Sequence, residues 1–300
     1  MSAVQSLRTA VDALSRSPVL VLGGLVYALV VLPQRALQLA SVPLAPAALQ
    51  LLTFFVTPLV VAGVVGMARE ALHDDASFEA FTATGKARYV DLLLATLVEF
   101  GIQLAFGIAF LVLALVAVVA AGGSVGAVGL VGAALGVLLA LAYLVVLFLV
   151  QFYPVLVVVD DAGPVDAVTG SVAFVRSNVV GTLGYSVVTV ALGLLATLPV
   201  SGFATYRFLT SGAGSGETPG PIGGGMSQGG PGTGAGGAPG MGELFGGAGL
   251  GLSTPEVVAL SLVSVATTAL FFAFRHTYAT AFYRLNGRSV EERVLDDESD

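Results

Sequence analysis

Between Leu92 and Val159 the chain carries one charged residue, Glu99, in 68 positions. A helix that crosses the hydrocarbon of a bilayer needs about 20 apolar residues. The run therefore reads as two membrane-crossing helices joined by a turn at Gly122-Gly123-Ser124. Each arm exceeds the required length, which predicts tilt or projection beyond the lipid. In the second arm Gly126, Gly129, Gly132 and Gly136 interrupt the leucines and valines. The Gly132-xxx-Gly136 spacing lets two helix backbones approach closely, although glycine is frequent throughout the chain. The whole sequence of 300 residues is 56% hydrophobic and 10% charged, with a mean hydropathy of +0.94. A soluble domain carries about 25% charged residues, so an integral membrane protein is expected.

The flanking sequence supplies four more spans. Val19 to Leu32 is uninterrupted and apolar, and its helix is expected to run past Pro33 toward Ala40, with Arg35 snorkelling at the far surface. Ala47 to Met67 is a second span, in which Thr57-Pro58 predicts a kink. Val179 to Val200 is the fifth, and Pro255 to Ala281, opened by the capping pair Ser253-Thr254, is the sixth. Residues 2 to 16 place Val4, Leu7, Val11 and Leu14 at helical spacing, with Arg8, Asp12 and Arg16 between them, which reads as an interfacial helix with its apolar side down. The rival reading of this end is a cleaved signal peptide. Arg69 to Asp91 reads as a polar surface connector with a turn or more of helix, the third span beginning near Tyr89. Residues 211–253 hold 19 of the 39 glycines and almost no charge, so a flexible loop is expected over 202–253. The fold class is thus all-α: a polytopic bundle of six transmembrane helices with short interfacial helices. Its parts are an interfacial helix (1–16), five spans (17–201) broken by an elbow (154–178), the glycine-rich loop, a sixth span (254–284) and an acidic tail (285–300).

An even number of spans puts both ends on one side. That side holds Arg8, Arg16, Arg69, Lys86, Arg88, Arg176, Arg284, Arg288 and Arg293, against Arg35 and Arg207 opposite. The positive-inside bias places both termini in the cytoplasm of a multi-pass cell-membrane protein, with the glycine-rich loop outside.

The elbow, Gln151 to Asn178, is the most informative stretch. Asp160-Asp161-Ala-Gly163-Pro164 is a turn followed by a helix start. Val165, Val168, Val172 and Val175 then recur at helical spacing, with Asp166, Thr169 and Arg176 off that stripe. The aspartates at the start and the arginine at the end complement the helix dipole, and Asn178 is suited to cap the next helix. The segment reads as an amphipathic helix on the membrane surface.

Pro154 to Ser186, PVLVVVDDAGPVDAVTGSVAFVRSNVVGTLGYS, resembles the elbow of the membrane domain of bacterial glycerophosphodiester phosphodiesterases. There an aliphatic run is followed by an acidic-Gly turn, an Ala-x-x-x-Ser helix and an Asn before the next span, matched here by Ala167, Ser171 and Asn178. The layout is also similar to that of uncharacterised six-span archaeal membrane proteins. The likeness is specific at the elbow and loose elsewhere. It implies a membrane module without the hydrolase activity, because the barrel that carries that activity has no counterpart in this sequence.

Glu99 is the leading candidate for chemistry, since a carboxylate inside a span is costly and faces protein or water. Gln103 lies one turn on, and Arg275 reaches a similar depth from the same side. A charge pair that fixes helix register is preferred to an ion or substrate pathway. His276, Tyr278 and Tyr283 fall near the inner interface, where tyrosines form an ordinary aromatic belt. Asp160-Asp161 and His73-Asp74-Asp75 read as turn clusters rather than cation sites. There is no cysteine, and two histidines and four methionines make a metal centre or a copper pathway improbable. No HExxH or phosphate-loop pattern occurs, and no catalytic residue and no cofactor are expected. A net charge of −7, a pI near 4.7 and a single lysine, Lys86, disfavour a nucleic-acid partner. The lysine-poor, acidic composition resembles proteins of salt-loving archaea, and a GC-rich genome is the alternative. The expected role is a non-enzymatic module that organises membrane lipid, partner membrane proteins or copies of itself. The alternatives are a small transporter or channel built on Glu99 and Gln103 and, last, an intramembrane enzyme.

Overall fold

The computed structural model describes residues 3–39, 45–121, 127–210 and 254–287, and its elements are helices throughout. They are α1 (Ala3–Arg16), α2 (Val19–Leu39), α3 (Ala45–Ala71), α4 (Phe78–Ala121), α5 (Ala127–Val150), α6 (Tyr153–Val159), α7 (Pro164–Ser177), α8 (Val179–Thr210) and α9 (Thr254–Asn286). Six stretches are long and apolar enough to cross a membrane, carried by α2, α3, α4, α5 with α6, α8 and α9. The fold is therefore an all-α polytopic membrane bundle. Residues 202–210, expected as loop, continue α8 to Thr210, and α9 runs to Asn286, into the expected tail; the expected turn at 122–124, residues 211–253 and residues 288–300 lie outside the described residues.

α3 is the most enclosed span and α4 and α5 the least. The sequence of α3 explains this. Val60, Ala62, Val64, Val65, Met67 and Ala68 are buried around much of its circumference, and small or β-branched side chains permit close neighbours on several sides. α3 packs on α2, α4, α6 and α9, while α9 packs most extensively on α2. α3 runs unbroken through Pro58, where Thr57 Oγ1 donates to Thr53 O at 2.7 Å.

α4 starts at Phe78 rather than near Tyr89. Ser77 supplies the cap: its Oγ accepts from Ala80 N at 3.1 Å, while Glu70 Oε2 accepts from Ser77 N at 2.8 Å. Most of the expected connector is thus helix, and α4 extends for about 66 Å at 1.5 Å per residue over its 44 residues.

The apolar stripe of α1 is divided between protein and surroundings. Ser6, Ala10 and Ala13 are buried against the bundle, Leu7 and Leu14 pack on its core, and Val4 and Val11 remain exposed. The elbow helix α7 differs more from expectation. Its buried face is Ala167, Val168, Ser171, Phe174 and Val175, docked on the protein core, and Val165 is exposed. An amphipathic pattern records that one face avoids water, whether the neighbour is lipid or protein. Here the neighbour is α6, whose residues Tyr153 to Val158 are all buried.

Candidate functional site

The site is built around the break between α5 and α6. Pro154 cannot donate a backbone hydrogen bond, so the helix cannot continue past it unchanged. Ser171 repairs the gap. Its Oγ accepts from Phe152 N at 3.1 Å and donates to Leu149 O at 2.8 Å. Gln151 Nε2 donates to Phe148 O at 2.9 Å. Phe152 then faces Phe174, Tyr185 and Phe282 at ring-centroid distances of 5.1, 5.0 and 5.6 Å, which ties α6 to α7, α8 and α9. Ala167 is fully buried one turn before Ser171.

The turn after α6 uses its aspartates in tertiary contacts rather than at the dipole of α7. Asp160 accepts from the Tyr283 hydroxyl of α9, and Asp161 accepts from Arg88 of α4. Asp161 adopts a positive φ of 56°, a left-handed conformation that aspartate tolerates better than most residues. Gly163 holds the N-cap position of α7 in extended conformation, and Pro164 opens the helix. Asn178 closes α7 instead of capping α8: its Nδ2 donates to Phe174 O at 3.1 Å. Tyr283 and Tyr278 are buried tethers, not belt residues; the Tyr278 hydroxyl donates to Ala3 O at 3.0 Å and fixes α1. His276 is buried with its ring 4.4 Å from that of Phe272. On the same side, Arg284 Nη1 donates to His73 Nδ1 at 2.8 Å.

Glu99 is 3% exposed, eleven residues and about 16 Å along α4 from Arg88. Its Oε2 accepts from the Tyr153 hydroxyl at 2.7 Å and its Oε1 from Gln103 Nε2 at 3.2 Å. Thr96 Oγ1 lies 3.3 Å from the same tyrosine oxygen. Arg275 of α9 is within electrostatic range of Tyr185 and Tyr153. Glu99, Gln103, Tyr153 and Thr96 thus form one polar cluster, with Tyr153 as the link between α4 and α6. Tyr153, Tyr185 and Thr96 were not singled out from the sequence. The available signal was Tyr153-Pro154 at the end of an apolar run, where a helix break turns a hydroxyl inward.

Arg35 does not snorkel freely. Its Nη1 donates to Ser264 Oγ at 2.9 Å and to Thr268 Oγ1 at 2.5 Å, both on α9. Beside it, Gln34 Nε2 donates to Gln50 Oε1 of α3 at 3.2 Å. Gly132 and Gly136 face Ala117 and Leu113 of α4 with room for ordinary contact, so they do not mark a tight backbone crossing.

A family model, described as a domain of unknown function (DUF7847), matches residues 1–285. The chain belongs to this family. Its model covers every described helix almost to the end of α9, so the α5–α6 break, the elbow and the Glu99 cluster all fall within the family's domain. No curated protein and no solved structure matches the chain.

Proposed function

We propose that this member of the family is a non-enzymatic membrane module that organises lipid, and through it partner membrane proteins or copies of itself, with both termini cytoplasmic. The observation that carries the reading is a groove of about 520 Å³ between α4 and the elbow, lined by Leu94, Leu97, Val98, Gly163, Pro164, Val165 and Asp166. Val165, Leu94, Leu97 and Val98 are exposed there, and the Arg88–Asp161 pair stands beside the same turn. An apolar floor with charges at its edge matches the boundary between acyl chain and headgroup. Exposed Val4 and Val11 of α1 add apolar surface on the same side of the bundle. The composition and the elbow's likeness to the phosphodiesterase membrane domain support an origin in salt-loving archaea and a shared ancestry for the module.

Lipid co-purification tests the reading. The protein is extracted in mild detergent and its retained lipid measured by native mass spectrometry. Val165→Gln is expected to lower retention, whereas Val180→Gln, at an 84% exposed position outside the groove, leaves it unchanged. Equal retention in both variants refutes the reading. The second reading, a small transporter or channel, is favoured by buried Glu99 and Tyr153, hydrogen-bonded to each other and continued by half-buried Thr96. Flux in proteoliposomes that disappears in Glu99→Gln displaces the first reading in favour of this one.

A further inference from the structure

Arg35 is a cation near the far end of α2, sixteen residues and about 24 Å from Val19 where the helix begins. With a hydrocarbon core of about 30 Å, that places its guanidinium close to the headgroups of the leaflet opposite α1. Among the described residues no carboxylate lies within ion-pair distance of it. The hydroxyls of Ser264 and Thr268 take both hydrogens of Nη1 but neutralise no charge. Nη2 and Nε remain, a planar fork suited to two oxygens of one oxyanion. A second observation points to the same place. Ser261 Oγ is buried and has no hydrogen-bond partner. Ser261, Ser264 and Thr268 recur at helical spacing on one face of α9, with Ser261 one turn nearer the far surface. The Gln34–Gln50 bond ties α2 to α3 at the same level and holds the neighbour of Arg35 in place.

We propose that Arg35, Ser261, Ser264 and Thr268 form a binding site for a phosphate-type oxyanion, supplied by the headgroup of a phospholipid in that leaflet. The site deepens the lipid-organising reading and rests on it only for the carrier of the phosphate. It lies on the other side of the membrane from the elbow groove, so the two readings fail separately.

The full-length chain is reconstituted in nanodiscs of phosphatidylcholine with phosphatidylglycerol, re-extracted, and its retained phosphatidylglycerol measured by native mass spectrometry. Arg35→Gln and Ser261→Ala are both expected to lose retained phosphatidylglycerol. Ser261→Ala is the decisive variant, because Ser261 holds no bond in the protein: its melting temperature in lipid-free detergent is expected to stay at the wild-type value while retention falls. A parallel arm adds sodium phosphate to the lipid-free protein. Stabilisation of wild type but not of Arg35→Gln, without any lipid retained, assigns the site to free phosphate. Unchanged retention in Ser261→Ala, together with no effect of phosphate, overturns the proposal even if Arg35→Gln fails to fold. Loss of retention in Val165→Gln alone leaves the groove reading standing and this one refuted.

Discussion

Gly24→Ala adds one methyl group where α2 crosses α9. A Cβ built at Gly24 lies 2.0 Å from Ala269 O and 2.9 Å from Ala269 C. The obstacle is helix backbone, which has no rotamer to escape into, and a carbon meets a carbonyl oxygen at about 3.3–3.6 Å. The two helices must therefore part by more than 1 Å locally. The contacts that suffer are the stack of Tyr27 on Phe272, with centroids 3.9 Å apart, and the packing of fully buried Leu20. Overpacking costs about 1–3 kcal/mol, and an immovable obstacle puts this site at the upper end. Against it stands the helix preference of alanine over glycine, about 1 kcal/mol. The net loss is about 2 kcal/mol, or a fall of roughly 4–8 °C in melting temperature for a chain of this size class. Gly101→Ala is the matched control, since nothing lies within 4 Å of a Cβ there; it is expected to melt at or slightly above wild type. Thermal unfolding in detergent, followed by circular dichroism, reads both. If Gly24→Ala melts no lower than Gly101→Ala, the close approach of α2 and α9 is wrong.

Ser171→Ala strips partners from Phe152 N and Leu149 O at the helix break, and two buried backbone groups left unbonded cost about 2–4 kcal/mol, measurable by the same unfolding assay. Tyr153→Phe removes a 2.7 Å bond to a buried carboxylate and is expected to cost about 1.5–3 kcal/mol; adding Glu99→Gln recovers part of it, and a double-mutant cycle without coupling rules out the contact. Because the chain has no cysteine, single substitutions report sidedness directly. An impermeant maleimide applied to intact cells is expected to label Ser227→Cys and to spare Ser15→Cys, and the reverse pattern inverts the proposed topology.

The span positions were legible because hydropathy over about 20 residues is a sum, insensitive to which neighbour each residue meets. Single contacts were not. Asn178 fits either end of a helix junction, and only the positions of Phe174 O and Ser177 show that it closes α7. Glu99 stood out as a lone charge, but its partner Tyr153 looked like one more aromatic residue in an apolar run. Asp160 and Asp161 formed a recognisable turn, while their bonds to Tyr283 and Arg88 join residues 123 and 73 positions apart, a separation no local pattern encodes.

Hydropathy by itself determined that this chain is a helical bundle in a bilayer, because lipid offers backbone amides no outside partner and helices satisfy them internally. Tertiary structure alone decided that α6 and the inner face of α7 belong to the protein core. The physical reason is that hydrocarbon and packed protein are equally apolar to a side chain, so a sequence marks what avoids water without marking what takes its place.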